Sequence, residues 1–180
     1  MPDLNTLRIV HLEDEMTLRD IVRTTIMVLD PQTEVRQFEG SDETLRYVEQ
    51  DDHRQKIDLF LLDVRVPGEL DGIGVAFRLR DLGCQGMIAF TSAYAAPDTK
   101  TIASLDYVWL SKPVELNRMR SVLKLARSRR QSSAERNSAP AAPPTPTLPP
   151  ESAAANASPT SNPPAQDSDA KNGVPTNAIP

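Results

Sequence analysis

Cysteine is almost missing from this sequence. Cys84 is the only one in 180 residues, which excludes an internal disulfide and a cage of cysteine thiolates around a metal. No apolar run approaches the ~18 residues that a membrane span needs. The opening stretch MPDLNTLRIVHLEDE has neither a basic start nor an apolar centre, so it does not read as a secretion signal. An excess of basic residues is lacking as well. Lys and Arg number 20 against 25 Asp and Glu, a net charge of −5, which speaks against a nucleic-acid binder. Together these absences predict a cytoplasmic protein of a reducing compartment with no membrane segment. Beyond residue 139 the large aliphatics run out. Only Leu148, Val174 and Ile179 remain there, alongside 11 of the 16 prolines. Such a segment cannot bury enough apolar surface to offset the cost of ordering it. Residues 131–180 are therefore expected to be a disordered tail, residues 1–6 a short lead, and residues 7–130 one domain of ordinary size.

That domain alternates β-rich runs with amphipathic stretches. LRIVHL (7–12) reads as a buried strand, followed by a helix in which Leu18, Ile21, Val22, Thr25, Ile26 and Leu29 recur at helical spacing until Pro31. EVRQF (34–38) alternates as a second strand. Ser41 then suits an N-cap, with Asp42 and Glu43 at the positive end of a helix running to about Gln50. DLFLLD (58–63) is a third strand, apolar enough to be covered on both faces. A third helix from about Gly74 to Leu82 stops at Gly83. MIAFT (87–91) is the fourth strand, a short helix lies between Pro97 and Ser104, and YVWLS (107–111) is the fifth strand. A last helix starts after Pro113 and puts Leu116, Met119, Val122, Leu123 and Ala126 on one face. Five strands interleaved with five helices imply an α/β fold, a doubly wound parallel sheet covered on both sides.

Ligands of such sheets bind beyond the carboxyl ends of the strands. Glu13 and Asp14 follow the first strand, Asp63 ends the third, Thr91 ends the fourth and Lys112 follows the fifth. Crowded carboxylates repel one another unless a cation neutralises them. Oxygen ligands of this kind suit Mg²⁺, which shares its sites with phosphate oxygens. An aspartate can also act as a nucleophile and form an acyl phosphate. Phosphoryl transfer to Asp63 needs such a metal, a second cation such as Lys112 and a hydroxyl donor such as Thr91.

Glu13-Asp14, LLDVRVPGELDG, AFTSA and LSKP, in this order and on these elements, resemble the receiver domain of two-component response regulators over about residues 6–128. The resemblance implies a flavodoxin-like (βα)5 sheet of strand order 2-1-3-4-5. It implies that Asp63 is the phosphoacceptor. Asp14, Asp63 and the backbone carbonyl of Arg65 would hold Mg²⁺, with Glu13 acting through a metal-bound water. Thr91 would hydrogen-bond the phosphoryl group, and Lys112 would pair with it, placed by a cis bond to Pro113. Trp109 occupies the switch position, where the family usually has Tyr or Phe. The implied partners are a histidine kinase or phosphotransfer protein and an output protein that reads the surface of helix four, strand five and helix five. The implied activity is confined to self-phosphorylation and autodephosphorylation at Asp63, in a stand-alone regulator. Two departures stand out. The first acid is Glu where Asp is usual, and the VPGELDG loop is one residue longer than the commonest spacing.

Each residue also has a plainer reading. Glu13 and Asp14 could merely start a helix, Thr91 could be a strand-end threonine, and Lys112-Pro113 a turn with Pro at the first helical position. Trp109 could fill the core. His11, inside the first strand, reads as a core residue. The cations of KLARSRRQSSAER (124–136) read as a solvated helix end complementing the dipole. Two rival functions remain: a pseudo-receiver scaffold that works without phosphorylation, and a Mg²⁺-dependent phosphohydrolase. The second wants another Asp two residues past the nucleophile, and Arg65 stands there.

Overall fold

Five short runs extend into strands: β1 (Arg8–Leu12), β2 (Glu34–Phe38), β3 (Leu59–Asp63), β4 (Met87–Ser92) and β5 (Tyr107–Ser111). All neighbours pair in parallel, in the order β2-β1-β3-β4-β5. The computed structural model describes residues 6–50, 54, 56–97 and 99–138. The expected tail from 139 onward and residues 1–5 of the lead lie outside the described residues.

Position in the sheet explains composition. In β3 and β4 every residue is buried, and their sequences LFLLD and MIAFTS carry no outward-facing polar position in the interior. The edge strands β2 and β5 keep partly exposed residues, which is why EVRQF alternates. Strands joined in parallel need long crossovers, and helices supply them: α1 (Met16–Leu29), α2 (Ser41–Glu49), α3 (Gly72–Asp81), the short α4 (Thr99–Ile102) continued by a 3-10 turn (Ala103–Leu105), and α5 (Leu116–Ser138). Ile26 of α1 and Met119, Val122, Leu123 and Ala126 of α5 pack on Ile9, Leu59, Leu61 and Ala89 on one face of the sheet. Val48 of α2, Val75, Ala76 and Leu79 of α3, and Ile102 and Leu105 pack on Val10, Phe60, Leu62 and Phe90 on the other. Each fully buried Leu, Ile or Phe contributes roughly 1.5–3 kcal/mol relative to exposure.

Three local features differ from the sequence-based expectation. Ser41 is the first residue of α2, with Gly40 at the N-cap and no side-chain cap. The Ser41 hydroxyl instead accepts from Leu70 N at 3.3 Å, and the neighbouring Asp42 Oδ1 accepts from Glu69 N at 3.2 Å. Both tie the long loop after β3 to α2, and Ser41 N donates to the Pro67 carbonyl at 3.0 Å. The third helix begins two residues earlier than expected, because Asp71 caps it by accepting from Gly74 N at 2.8 Å.

The third difference is in α5, which runs past the expected boundary at Arg130 to Ser138. No proline interrupts 131–138, and Gln, Ala, Glu and Arg there favour helix. Its arginines are not simply solvated. Arg127 Nε donates to Asp30 Oδ2 at 2.6 Å, Arg129 pairs with Asp106 at 2.9 Å, and Arg130 pairs with Asp58 at 2.6 Å. Asp58 Oδ2 also accepts from Arg8 N at 2.8 Å. The carboxylate before β3 is thus spent on holding α5, whereas the one at its far end, Asp63, faces the crevice.

Candidate functional site

The parallel register sets Asp63 beside Thr91 as paired residues of β3 and β4. Glu13 and Asp14 follow β1 on the other side of β3, and Lys112 follows β5. One oxygen from each of Glu13, Asp14 and Asp63 lies within 4.8 Å of the others. Lys112 Nζ donates to Glu13 Oε2 at 2.6 Å and to Asp63 Oδ2 at 2.8 Å. Lys112 and Pro113 are joined by a cis peptide bond. The sheet therefore gathers all four charged residues singled out in the sequence, together with Thr91, at its carboxyl end.

Burial is graded across the site. Asp14 is exposed, Asp63 is 6% exposed, and Glu13 and Thr91 are 2% exposed. Burial holds the Glu13 carboxyl above its usual range, against the pull of the Lys112 ammonium. Burial also works against the Lys112 charge, but its hydrogen bonds to Asp63 and Glu13 prevail and keep its pKa above the ordinary value. With all groups ionised, three carboxylates (−3) and one ammonium (+1) leave −2, the complement of one divalent cation. Two buried oxygens here have no hydrogen-bond partner among the described residues, Glu13 Oε1 and Thr91 Oγ1. A hard cation with its waters and an anionic oxygen would satisfy the first and the second respectively. The donor set fits Mg²⁺.

Glycine backbone is required beside Asp63. A Cβ on Gly72 would overlap the Asp63 carbonyl oxygen, and Gly72 N donates to the Val64 carbonyl at 3.0 Å. The close approach of α3 to the end of β3 fixes where Asp63 points.

Some contacts escaped sequence reasoning. Arg19 Nη1 donates to the Glu13 and Asp14 carbonyls at 2.8 and 3.0 Å, so α1 clamps the acidic pair from below. The Arg65 guanidinium lies 4.4 Å from the centre of the Tyr94 ring. Trp109 packs against Phe90 with ring centres 5.7 Å apart, and its Nε1 donates to the Tyr94 carbonyl at 3.3 Å. His11 is fully buried on the α1–α5 face. Gln37 Nε2 must face the Arg19 carbonyl, an acceptor only, at 2.7 Å, and so also donates to His11 Nδ1 at 3.0 Å. No signal in the sequence announces these contacts, because each joins loops or strands brought together only by folding.

A doubly wound sheet with three acids, a threonine and a lysine at its carboxyl end is the arrangement expected from the resemblance to receiver domains. The chain belongs to the response regulator receiver domain family, which it matches over residues 9–124. The sensory transduction protein LytT of Bacillus subtilis (strain 168) is 30% identical over 120 residues, 66% of this chain and 47% of LytT. The chain thus spans about half the length of that relative. The signal receiver domain of a Luxo repressor protein from Vibrio parahaemolyticus superposes with a TM-score of 0.64 at 15% identity, over 74% of this chain and 99% of that one. A CheY-like receiver domain from Methanospirillum hungatei JF-1 gives 0.61 at 16% identity, over 71% and 98%. At these identities the two structures share the fold. Among the described residues no helix is long and apolar enough to cross a membrane.

Proposed function

We propose that Asp63 accepts a phosphoryl group from a histidine kinase or phosphotransfer protein, and that the phosphorylated domain presents a changed surface on α4, β5 and α5 to an output protein. The observation that carries this reading is the double hydrogen bond of Lys112 to Glu13 and Asp63 within a cluster of three carboxylates. An Asp63 oxygen attacks phosphorus, the donor's P–N bond breaks as the O–P bond forms, and the leaving imidazole takes up a proton. Asp14, Asp63 and the Arg65 carbonyl would hold Mg²⁺, with Glu13 behind a water. When bound, the metal supplies charge neutralisation for the phosphoryl oxygens. Lys112 positions the acceptor carboxylate and pairs with the phosphoryl group. Thr91 turns its unpartnered hydroxyl to the same group. Activity is then limited to self-phosphorylation and slow loss of the phosphate. Arg65 replaces the acid that a turnover phosphohydrolase would need, and the intact acidic and cationic set disfavours a phosphorylation-independent scaffold. The description of LytT as a sensory transduction protein agrees with a signalling role.

The test is incubation with Mg²⁺ and acetyl phosphate, read by intact mass. One phosphoryl group should be added and lost in base. Labelling of Asp63→Asn at the parent rate would refute the assignment.

A further inference from the structure

The mouth of the site carries a cation that nothing so far employs. Arg65 is exposed, its backbone N–H donates to Asp63 Oδ1 at 3.2 Å, and its side chain therefore springs from the rim beside the acceptor. Among the described residues no carboxylate pairs with the guanidinium. It rests on the Tyr94 ring, 4.4 Å from the centre. Tyr94 lies just after β4 and is itself 59% exposed. Its backbone is held at two points: its N–H donates to Ser92 Oγ at 3.1 Å, and its carbonyl accepts from Trp109 Nε1 at 3.3 Å. One residue thus receives Arg65 on its ring and Trp109 on its carbonyl.

We infer that the Arg65 side chain is a phosphoryl-binding group parked on Tyr94, and that its departure from the ring carries the state of Asp63 to Trp109. This rests on the phosphoacceptor reading above. A guanidinium over an exposed ring is weakly held. A phosphoryl group brings about −1.5 to −2 charges and oxygens that a planar guanidinium engages bidentately, with shorter and stronger bonds. The ring loses that competition. Arg65 swings from Tyr94 to the phosphoryl oxygens, Tyr94 loses the contact that pins its ring, and its carbonyl ceases to hold the indole in place. The route runs over the outside of the site, from the β3–α3 loop to the β4–α4 loop to β5. It is separate from any movement of the buried Thr91.

Beryllium fluoride with Mg²⁺ is the probe, since it occupies a carboxylate as a tetrahedral phosphoryl mimic. Occupancy is read by ¹⁹F resonances of the bound fluoride, and the relay by emission of Trp109, the only tryptophan. Arg65→Met, which keeps the stem and drops the charge, should bind the probe about tenfold more weakly. At saturation it should give less than half the parent emission change. Tyr94→Leu should bind the probe at least as tightly as the parent and still lose more than half of that change. Arg65→Lys should recover part of the affinity and little of the emission change, because an ammonium does not make the bidentate contact. Parent affinity or a full emission change in saturated Arg65→Met overturns the inference and leaves the Asp63 assignment standing. No bound fluoride in the parent protein refutes the phosphoacceptor reading itself, and this inference with it.

Discussion

Lys112 Nζ stands 2.6 Å from Glu13 Oε2, a contact between residues 99 apart in sequence that closes the site over β3. The glutamate side chain is buried and the lysine only partly exposed. The same ammonium holds Asp63 at 2.8 Å. In the absence of metal it is the sole cation bridging two carboxylates among the described residues of the site.

That arrangement leaves Asp14, the exposed acid, without the lysine and most dependent on a metal. Asp14→Ala should weaken Mg²⁺ binding by at least about tenfold, roughly 1.4 kcal/mol. It should not lower the metal-free melting temperature, since removing one of three clustered carboxylates relieves repulsion. Calorimetric titration of Mg²⁺ checks the first and a melting curve in EDTA the second. Unchanged affinity would remove Asp14 from the metal site.

His11 should make the fold acid-sensitive. Burial, with Lys112 and Arg19 nearby, lowers its pKa to about 3 from an ordinary 6.5. Between those values the unfolded chain binds a proton that the native protein refuses, so stability falls as pH drops through that window. The slope from this group reaches about 1.4 kcal/mol per pH unit. Urea unfolding of metal-free protein from pH 7 to 4 should show a shallower acid limb in His11→Leu. Parallel limbs for the two proteins would mean that His11 takes its proton without opening the core.

Trp109 should report the state of the site. It sits on β5, with its ring against Phe90 and its nitrogen on the Tyr94 carbonyl. Drawing Thr91 toward a phosphoryl group on Asp63 empties space beside β4, which the neighbouring ring can enter. Emission should change on phosphorylation, not change in Asp63→Asn, and shrink in Thr91→Ala. An equal response in the parent and Thr91→Ala would show that movement of Thr91 does not reach the indole.

Among the described residues the buried apolar side chains run from Leu7 to Ala126. A chain ended after Ser138 should therefore melt within about 2 °C of the full chain, a shift of well under 1 kcal/mol, and accept phosphate at the same rate. A larger loss, seen by calorimetry, would place residues 139–180 in the stability of the fold.

The sequence alone determined the element order, the parallel doubly wound class and the residues at the strand ends. These follow from periodicity and from where apolar runs stop: LLD ends on an acid because β3 ends at the crevice. The face of each helix was legible for the same reason, Met119, Val122, Leu123 and Ala126 being one stripe of α5. Only tertiary structure decided what the charged and polar residues do. Asp58 and Asp63 flank the same apolar run, yet one binds Arg130 and the backbone of Arg8, and the other meets Lys112. Ser41 resembles an N-cap, but folding brings Leu70 N to its hydroxyl. Arg65 and Tyr94 lie on separate loops, with nothing in either segment to say they meet. Apolar burial is set by local pattern, because a face is either covered or not. A polar contact depends on one partner at one distance and angle, and that partner arrives only when the sheet has set its register.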